Sequence, residues 1–223
     1  MASSLRRVTV LALALVLGIL PFLLMFSSPA RATSGVITLV YPNFSDVSLL
    51  QLNGSAAKVG TALRLTPASN NQAGSAFFKT RVSLANQRSF STYFSFLFTN
   101  PSASPADGIV FAIQTVSNTA GTAGGGIGFA GISPSIGIEF DTYKNTGGGS
   151  DPTDPNDNHV GLDINGNVQS HVTANPPGDF NGSTWHVWID YNGPTDTIEV
   201  RMGLTNNRTA ATLVMTHIVD LVA

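Results

Sequence analysis

The chain has 223 residues, no cysteine, and 11 lysines and arginines against 13 aspartates and glutamates, for a formal net charge of -2. That balance excludes the basic footprint that nucleic acid requires, and the missing cysteines exclude any disulfide bracing, so one apolar core must carry stability. Charged residues are 11% of the chain, against about 25% in an ordinary domain, and β-branched residues, Ser, Asn and Gly abound, which is how all-β secreted domains read.

The N-terminus reads as a targeting segment. Arg6 and Arg7 form a positive head, Val8 to Phe26 is almost wholly apolar, and Ala30-Arg31-Ala32 fits a small-x-small cleavage site, so residues 1–32 are expected to be a signal peptide cut after Ala32. Pro21 interrupts the apolar run, which separates it from a membrane span; an uncleaved N-terminal anchor is the alternative. Removing Arg6, Arg7 and Arg31 leaves 8 basic residues against 13 acidic ones, about five net negative charges. The mature chain, 33–223, is long enough for one domain, with no further membrane span, and its expected place is secreted, extracellular or periplasmic.

Along that domain no long stretch repeats apolar residues at helical spacing; short alternating runs dominate. Strands are predicted at Val36 to Tyr41, Ser48 to Leu52, Leu63 to Leu65 and Gly74 to Leu84, with turn residues Pro42 to Asp46 between the first two. Phe90 to Thr99 follows, placing Phe90, Thr92, Phe94, Phe96 and Phe98 on one face. Further strands are predicted at Gly108 to Thr115, Ile127 to Ala130, Ile136 to Tyr143, Val160 to Ile164, Val168 to Thr173, Thr184 to Tyr191, Thr197 to Leu204 and Ala211 to Ile218, with Asn165-Gly166 and Asn192-Gly193 as hairpin turns. Many short strands at regular spacing predict a sandwich or jelly roll. Trp185, Val187, Ile189 and Tyr191 share a face and read as core.

The stretch from Gly137 to His159 carries the chemistry. On its strand Ile136, Ile138 and Phe140 point one way, while Glu139, Asp141 and Tyr143 point the other, with Asn145 following. Neighbouring carboxylates repel and are costly to bury unless a cation compensates. The loop beyond adds oxygen donors and then His159; oxygens suit Ca²⁺, and a histidine among carboxylates suits a transition metal such as Mn²⁺. Asp107, just before the apolar run Ile109 to Ile113, and the glycine loop Gly124-Gly125-Gly126 supply an acceptor and bare backbone N–H donors suited to sugar hydroxyls. Two other readings fail on spacing. Asp154-x-Asn156-x-Asn158 begins like an EF-hand, but His159 stands where the glycine belongs and Asn165 where the glutamate belongs; the glycine run is no P-loop, since no Lys-Ser/Thr follows. His171, His186 and His217 have no acidic cluster around them and read as structural.

Ala106-Asp107-Gly108-Ile109-Val110-Phe111, Gly124 to Phe129, Ile138 to Asn145 and Asp154 to Asp163 resemble, in order, the signature segments of the legume lectins and their bacterial L-type relatives, and Ser89 to Phe96 is similar as well. The resemblance covers nearly the whole mature chain. It implies a concanavalin-like jelly-roll sandwich of antiparallel sheets that binds carbohydrate without catalysis, using one Ca²⁺ and one Mn²⁺. Carried over by motif, it implies Glu139 and His159 as transition-metal ligands, Asp141 and Asp154 as carboxylates shared by both metals, and Asn145 with the Tyr143 carbonyl on Ca²⁺. It further implies Asp107, the N–H near Gly125 and the Asn145 amide as sugar contacts, the Tyr143 ring as a platform beneath the sugar, and a cis peptide between Ala106 and Asp107.

Two departures follow. The loop from Asn145 to Asp154 has its own composition, which makes Asp151 and Asp157 rival ligands; Asp154 is preferred for its Asp-Pro step and its spacing to His159. The resemblance also leaves the family's last strands without counterpart after Val219 to Ala223, so either the sequence is incomplete at its C-terminus or the sandwich lacks an edge, leaving Val36 to Tyr41 partly unpaired and prone to association. A glycoside hydrolase on the same jelly roll is the enzymatic alternative. It needs two carboxyls about 5 Å apart, commonly as Glu-x-Asp-x-x-Glu on one strand, and Lys144 stands where the last acid belongs. A structural or adhesive domain without sugar binding is the third, and intact Asp107 and Asn145 speak against it. The expected function is therefore non-enzymatic binding of glycans or glycoconjugates, weak per site and strengthened in a homo-oligomer or array.

Overall fold

A computed structural model describes residues 37–99, 105–119, 121–148 and 151–221. The expected signal peptide lies outside the described residues, and among those no helix is long and apolar enough to cross a membrane. The chain divides into Met1–Tyr41 and Pro42–Ala223. Of the first unit, residues 37–41 form no strand, and Ile37, Leu39 and Val40 are exposed. The strand predicted at Val36 to Tyr41 is corrected accordingly. Alternating apolar residues suit a strand, but a strand exists only through a hydrogen-bonded ladder, and none forms over these residues.

The second unit is built of antiparallel strands. β1 (Leu50–Gly54), a short hairpin of β2 (Ala57–Val59) and β3 (Ala62–Arg64), and β4 (Gly74–Phe78) come first, with β4 returning to pair with β1. The strand predicted from Gly74 to Leu84 stops at Phe78. After β5 (Phe90–Phe96) and β6 (Gly108–Gln114) come β7 (Ser135–Asp141), β8 (Thr146–Gly148), β9 (Asp151–Thr153), β10 (His159–Ile164) and β11 (Asn167–Ala174). The chain closes with β12 (Trp185–Asn192), β13 (Thr197–Gly203) and β14 (Thr212–Ile218). Two four-stranded sheets carry the architecture, one in the order β11-β10-β7-β6 and the other β14-β13-β12-β5. This antiparallel sandwich is the expected jelly-roll type.

Period-two alternation explains the core between the sheets. Ile136, Ile138 and Phe140 of β7 and Val160 and Leu162 of β10 meet Trp185, Val187, Ile189 and Tyr191 of β12 and Ile198, Val200 and Met202 of β13. Phe94 and Phe96 of β5 pack edge-on and tilted against Phe140. Burying such side chains is worth about 1.5–3 kcal/mol each, which compensates for the absent disulfides.

The other face of β7 is not open. All seven residues of β7 are buried, Glu139 and Asp141 included. A second, smaller apolar cluster of Phe129, Ile132 and Val168, backed by Val110, Ala112, Ile127 and Ala130, covers this outer face. The strand predicted at Ile127 to Ala130 is therefore a correction. Gly124–Gly126 forms a 3-10 turn, Ile127 takes a left-handed backbone (φ 40°), and the N–H groups of Ile127, Phe129 and Ala130 donate to carbonyls three or four residues back. The glycines let the chain curl, so Phe129 reaches the sheet from a turn instead of a strand.

Candidate metal and sugar site

Strand register assembles the site at one end of the first sheet. Asp141, the last residue of β7, faces Gly108 on β6 and His159 on β10, so residues from three segments stand in one row. Gly108 (φ 149°) is required there, because a side chain would collide with the Phe140 carbonyl oxygen. Asp107 directly precedes it; its carbonyl accepts from the Thr142 N–H at 3.0 Å, and the Ala106–Asp107 peptide is cis, as the resemblance implies.

Asp141, Asp154 and His159 are all buried, and one ligand atom of each lies within 4.8 Å of the others. The loop that carries Asp154 is not irregular. Its ends pair as β8 and β9, with the Asn145 N–H donating to Asp154 Oδ2 at 2.7 Å and the Asp154 N–H donating to the Asn145 carbonyl at 2.9 Å. Asn145 is 8% exposed, and its side-chain Oδ1 has no hydrogen-bond partner. A buried amide oxygen without a partner costs about 1–3 kcal/mol, and a cation held beside Asp141 and Asp154 would satisfy it.

Glu139 is placed differently from Asp141 and Asp154. It is 2% exposed; its Oε1 lies 3.2 Å from His159 Nε2 and accepts from the Ser170 hydroxyl. Ser170 also donates to Asp163 Oδ1 at 3.0 Å. Asp163 is fully buried. Gly161 makes room for this knot, since a Cβ there would overlap Glu139 Oε1 and Ser170 Oγ. Neither Asp163 nor Ser170 was singled out from the sequence. The two-residue step from Gly161 to Asp163 on a strand facing Glu139 was the available signal.

The electrostatics show carboxylates crowded together out of water. Burial raises Asp141 from 3.8 to about 7; the Tyr143 N–H and His159 oppose the rise, while Glu139 and Asp154 add to it. Burial likewise raises Asp154, and burial followed by the Glu139 charge pushes Asp163 up to about 9. For His159 burial works against the charged ring, but the hydrogen bond and charge of Glu139, with Asp141 and Asp154, outweigh it and raise its pKa. Protons are held where a divalent cation would otherwise balance the charge.

The remaining predicted residues surround this group. Tyr143 is 38% exposed, with its N–H donating to Asp141 Oδ1 at 2.7 Å. Gly125 is half-buried in the 3-10 turn, which packs against β9. Of the rival ligands, Asp157 is exposed and outside the three-residue group, and Asp151 opens β9.

Comparison with known proteins bears on the family and the fold. The family model described as the legume lectin domain matches residues 37–223. The lectin alpha chain of Lablab purpureus is 28% identical over 219 residues, 90% of this chain and 73% of that one. The L-type lectin-domain containing receptor kinase VIII.1 of Arabidopsis thaliana is 37% identical over 128 residues, 53% of this chain but only 17% of the kinase. Among solved structures, a Bauhinia forficata lectin in complex with GalNAc superposes with a TM-score of 0.68 at 26% identity, covering 81% of this chain and 82% of that one. A match across the whole described sandwich places the chain in the legume lectin domain family, a family of domains that bind carbohydrate without catalysis.

Proposed function

We propose that the chain binds glycans through a site that two metal ions, Ca²⁺ and Mn²⁺, hold in shape. The observation that carries this reading is the unpartnered Asn145 Oδ1, buried beside the Asp141, Asp154 and His159 group. Oxygen donors from Asp141, Asp154, Asn145 and the Tyr143 carbonyl suit Ca²⁺, and His159 with Glu139, Asp141 and Asp154 suits Mn²⁺. When bound, the metals neutralise the buried carboxylates. The chain then does the rest: the Asn145 Nδ2 and the N–H near Gly125 donate to sugar hydroxyls, Asp107 accepts from them, and the Tyr143 ring lies under the sugar's apolar face. The place of action is outside the cytoplasm, in keeping with the N-terminal segment that reads as a signal peptide.

Binding to a glycan array, with and without chelator, tests the proposal. Galactose and N-acetylgalactosamine are the first probes, because the Bauhinia forficata relative was solved with GalNAc. Signal that depends on Ca²⁺ and Mn²⁺ is expected; signal that persists after their removal overturns metal dependence. Asp107→Ala is expected to lower sugar affinity at least about 100-fold, a loss of about 2.7 kcal/mol, while metal affinity by calorimetry changes less than about threefold. Equal loss of both would move Asp107 into the metal shell.

A further inference from the structure

Two histidines that take no part in this site meet where the sandwich presents two strand edges. β11 is the outer strand of one sheet and β14 the outer strand of the other. His171 on β11 and His217 on β14 bring their ring centres to 5.1 Å, with the planes 71° apart. His171 is exposed and His217 half-buried, and among the described residues no hydrogen bond engages any ring nitrogen of the pair. From sequence both read as structural, since neither has an acidic cluster around it. The fold brings together two residues that β12 and β13 separate along the chain.

A neutral imidazole carries one nitrogen lone pair, a donor matched to borderline metals such as Zn²⁺, Ni²⁺ and Cu²⁺ and poorly matched to Ca²⁺. A zinc ion about 2.0–2.1 Å from one nitrogen of each ring lies roughly 3.2 Å from each ring centre, and a tetrahedral angle then sets the centres roughly 5 Å apart. The pair shows that spacing, the rings meeting edge to face. We propose that His171 and His217 form a second metal site, a two-histidine clip for a zinc-like ion completed by water, which ties the edge of one sheet to the edge of the other. The ion would bind the folded chain in preference to the unfolded one, because only folding brings β11 beside β14, and it would therefore stabilise the sandwich.

The test is thermal unfolding of the whole chain, first saturated with Ca²⁺ and Mn²⁺ and then given Zn²⁺. Zinc is expected to raise the melting temperature by at least about 2–4 °C. The rise should vanish in His171→Ala and in His217→Ala, and persist in His159→Ala, whose imidazole belongs to the acidic site. No rise in the unsubstituted chain, or a rise surviving either substitution at the clip, overturns the proposal. Should a variant fail to fold, the unsubstituted chain still decides: Cu²⁺ at substoichiometric amounts is expected to broaden the ring resonances of His171 and His217 together, and broadening of neither or of only one overturns it.

Discussion

Among single residues, Asp141 shows most plainly why the acidic row exists. A carboxyl whose pKa rises on folding keeps its proton longer in the folded chain, so stability is full below the unfolded value of 3.8 and is lost as pH rises toward about 7. His159, also raised, loses its contribution in the same direction as pH climbs through its folded pKa. Metal ligands must be deprotonated, so the ions compete with these protons and gain affinity as pH rises. The metal-free chain is therefore expected to melt lower at pH 8 than at pH 5, while the chain loaded with Ca²⁺ and Mn²⁺ gains on its metal-free form as pH rises. Scanning calorimetry of both forms checks this; a metal-induced increment that is the same at both pH values would contradict it. These residues were legible in the sequence because strand periodicity put Glu139 and Asp141 on one face. What periodicity could not show is that the Glu139 carboxylate is held by Ser170 beside Asp163, a contact made across strands and dependent on the bare Cα of Gly161.

The Asn145 to Asp154 segment looked like a loop because Gly, Ser and Pro dominate it, yet it folds into β8 and β9. Its extended shape comes from pairing, not propensity: Thr146 stands opposite Thr153, and Gly148 opposite Asp151. Gln169 of β11 fastens the hairpin from the side, accepting the Thr153 N–H at 2.9 Å and donating to the Thr153 carbonyl at 3.2 Å. Gln169→Ala is expected to cost about 1–2 kcal/mol, since each hydrogen bond is worth about 0.5–1.5 kcal/mol net. It should also speed hydrogen exchange at the Thr153 amide at least tenfold and weaken metal binding through Asp154. Exchange unchanged by the substitution would show that β8 alone holds β9. The opposite error occurred at Ile127 to Ala130, where an apolar run of strand-like composition is a turn. Hydrophobicity there reported burial correctly, Phe129 being fully buried, but a short apolar run carries no information on backbone shape.

Across the whole domain, the sandwich was readable because the inner faces of both sheets alternate so regularly, from Ile136 to Phe140 in one and from Trp185 to Tyr191 in the other. The covering of the outer face was not, because Phe129 and Ile132 come from one turn and Val168 from β11, and no local pattern encodes their convergence. Phe129→Ala tests what that cover does. A large-to-small change at a fully buried ring costs about 3–5 kcal/mol, and the loss is expected to fall on the glycine turn, so sugar affinity drops while the inter-sheet core still melts cooperatively. Fluorescence of Trp185, read in a Trp188→Phe background, would follow that core; a melt that splits the two-sheet core itself would show that the outer cluster is part of the main fold's cooperativity.

Phe129 also bears on the time course of recognition. The glycine turn holding Gly125 is tied to this ring by the Phe129 N–H bond to the Gly126 carbonyl, so the donors proposed to meet a glycan are expected to be in place before one arrives. Little ordering then remains to be done on contact, and association should run at the pace of diffusional encounter, leaving discrimination between glycans to how quickly each one departs.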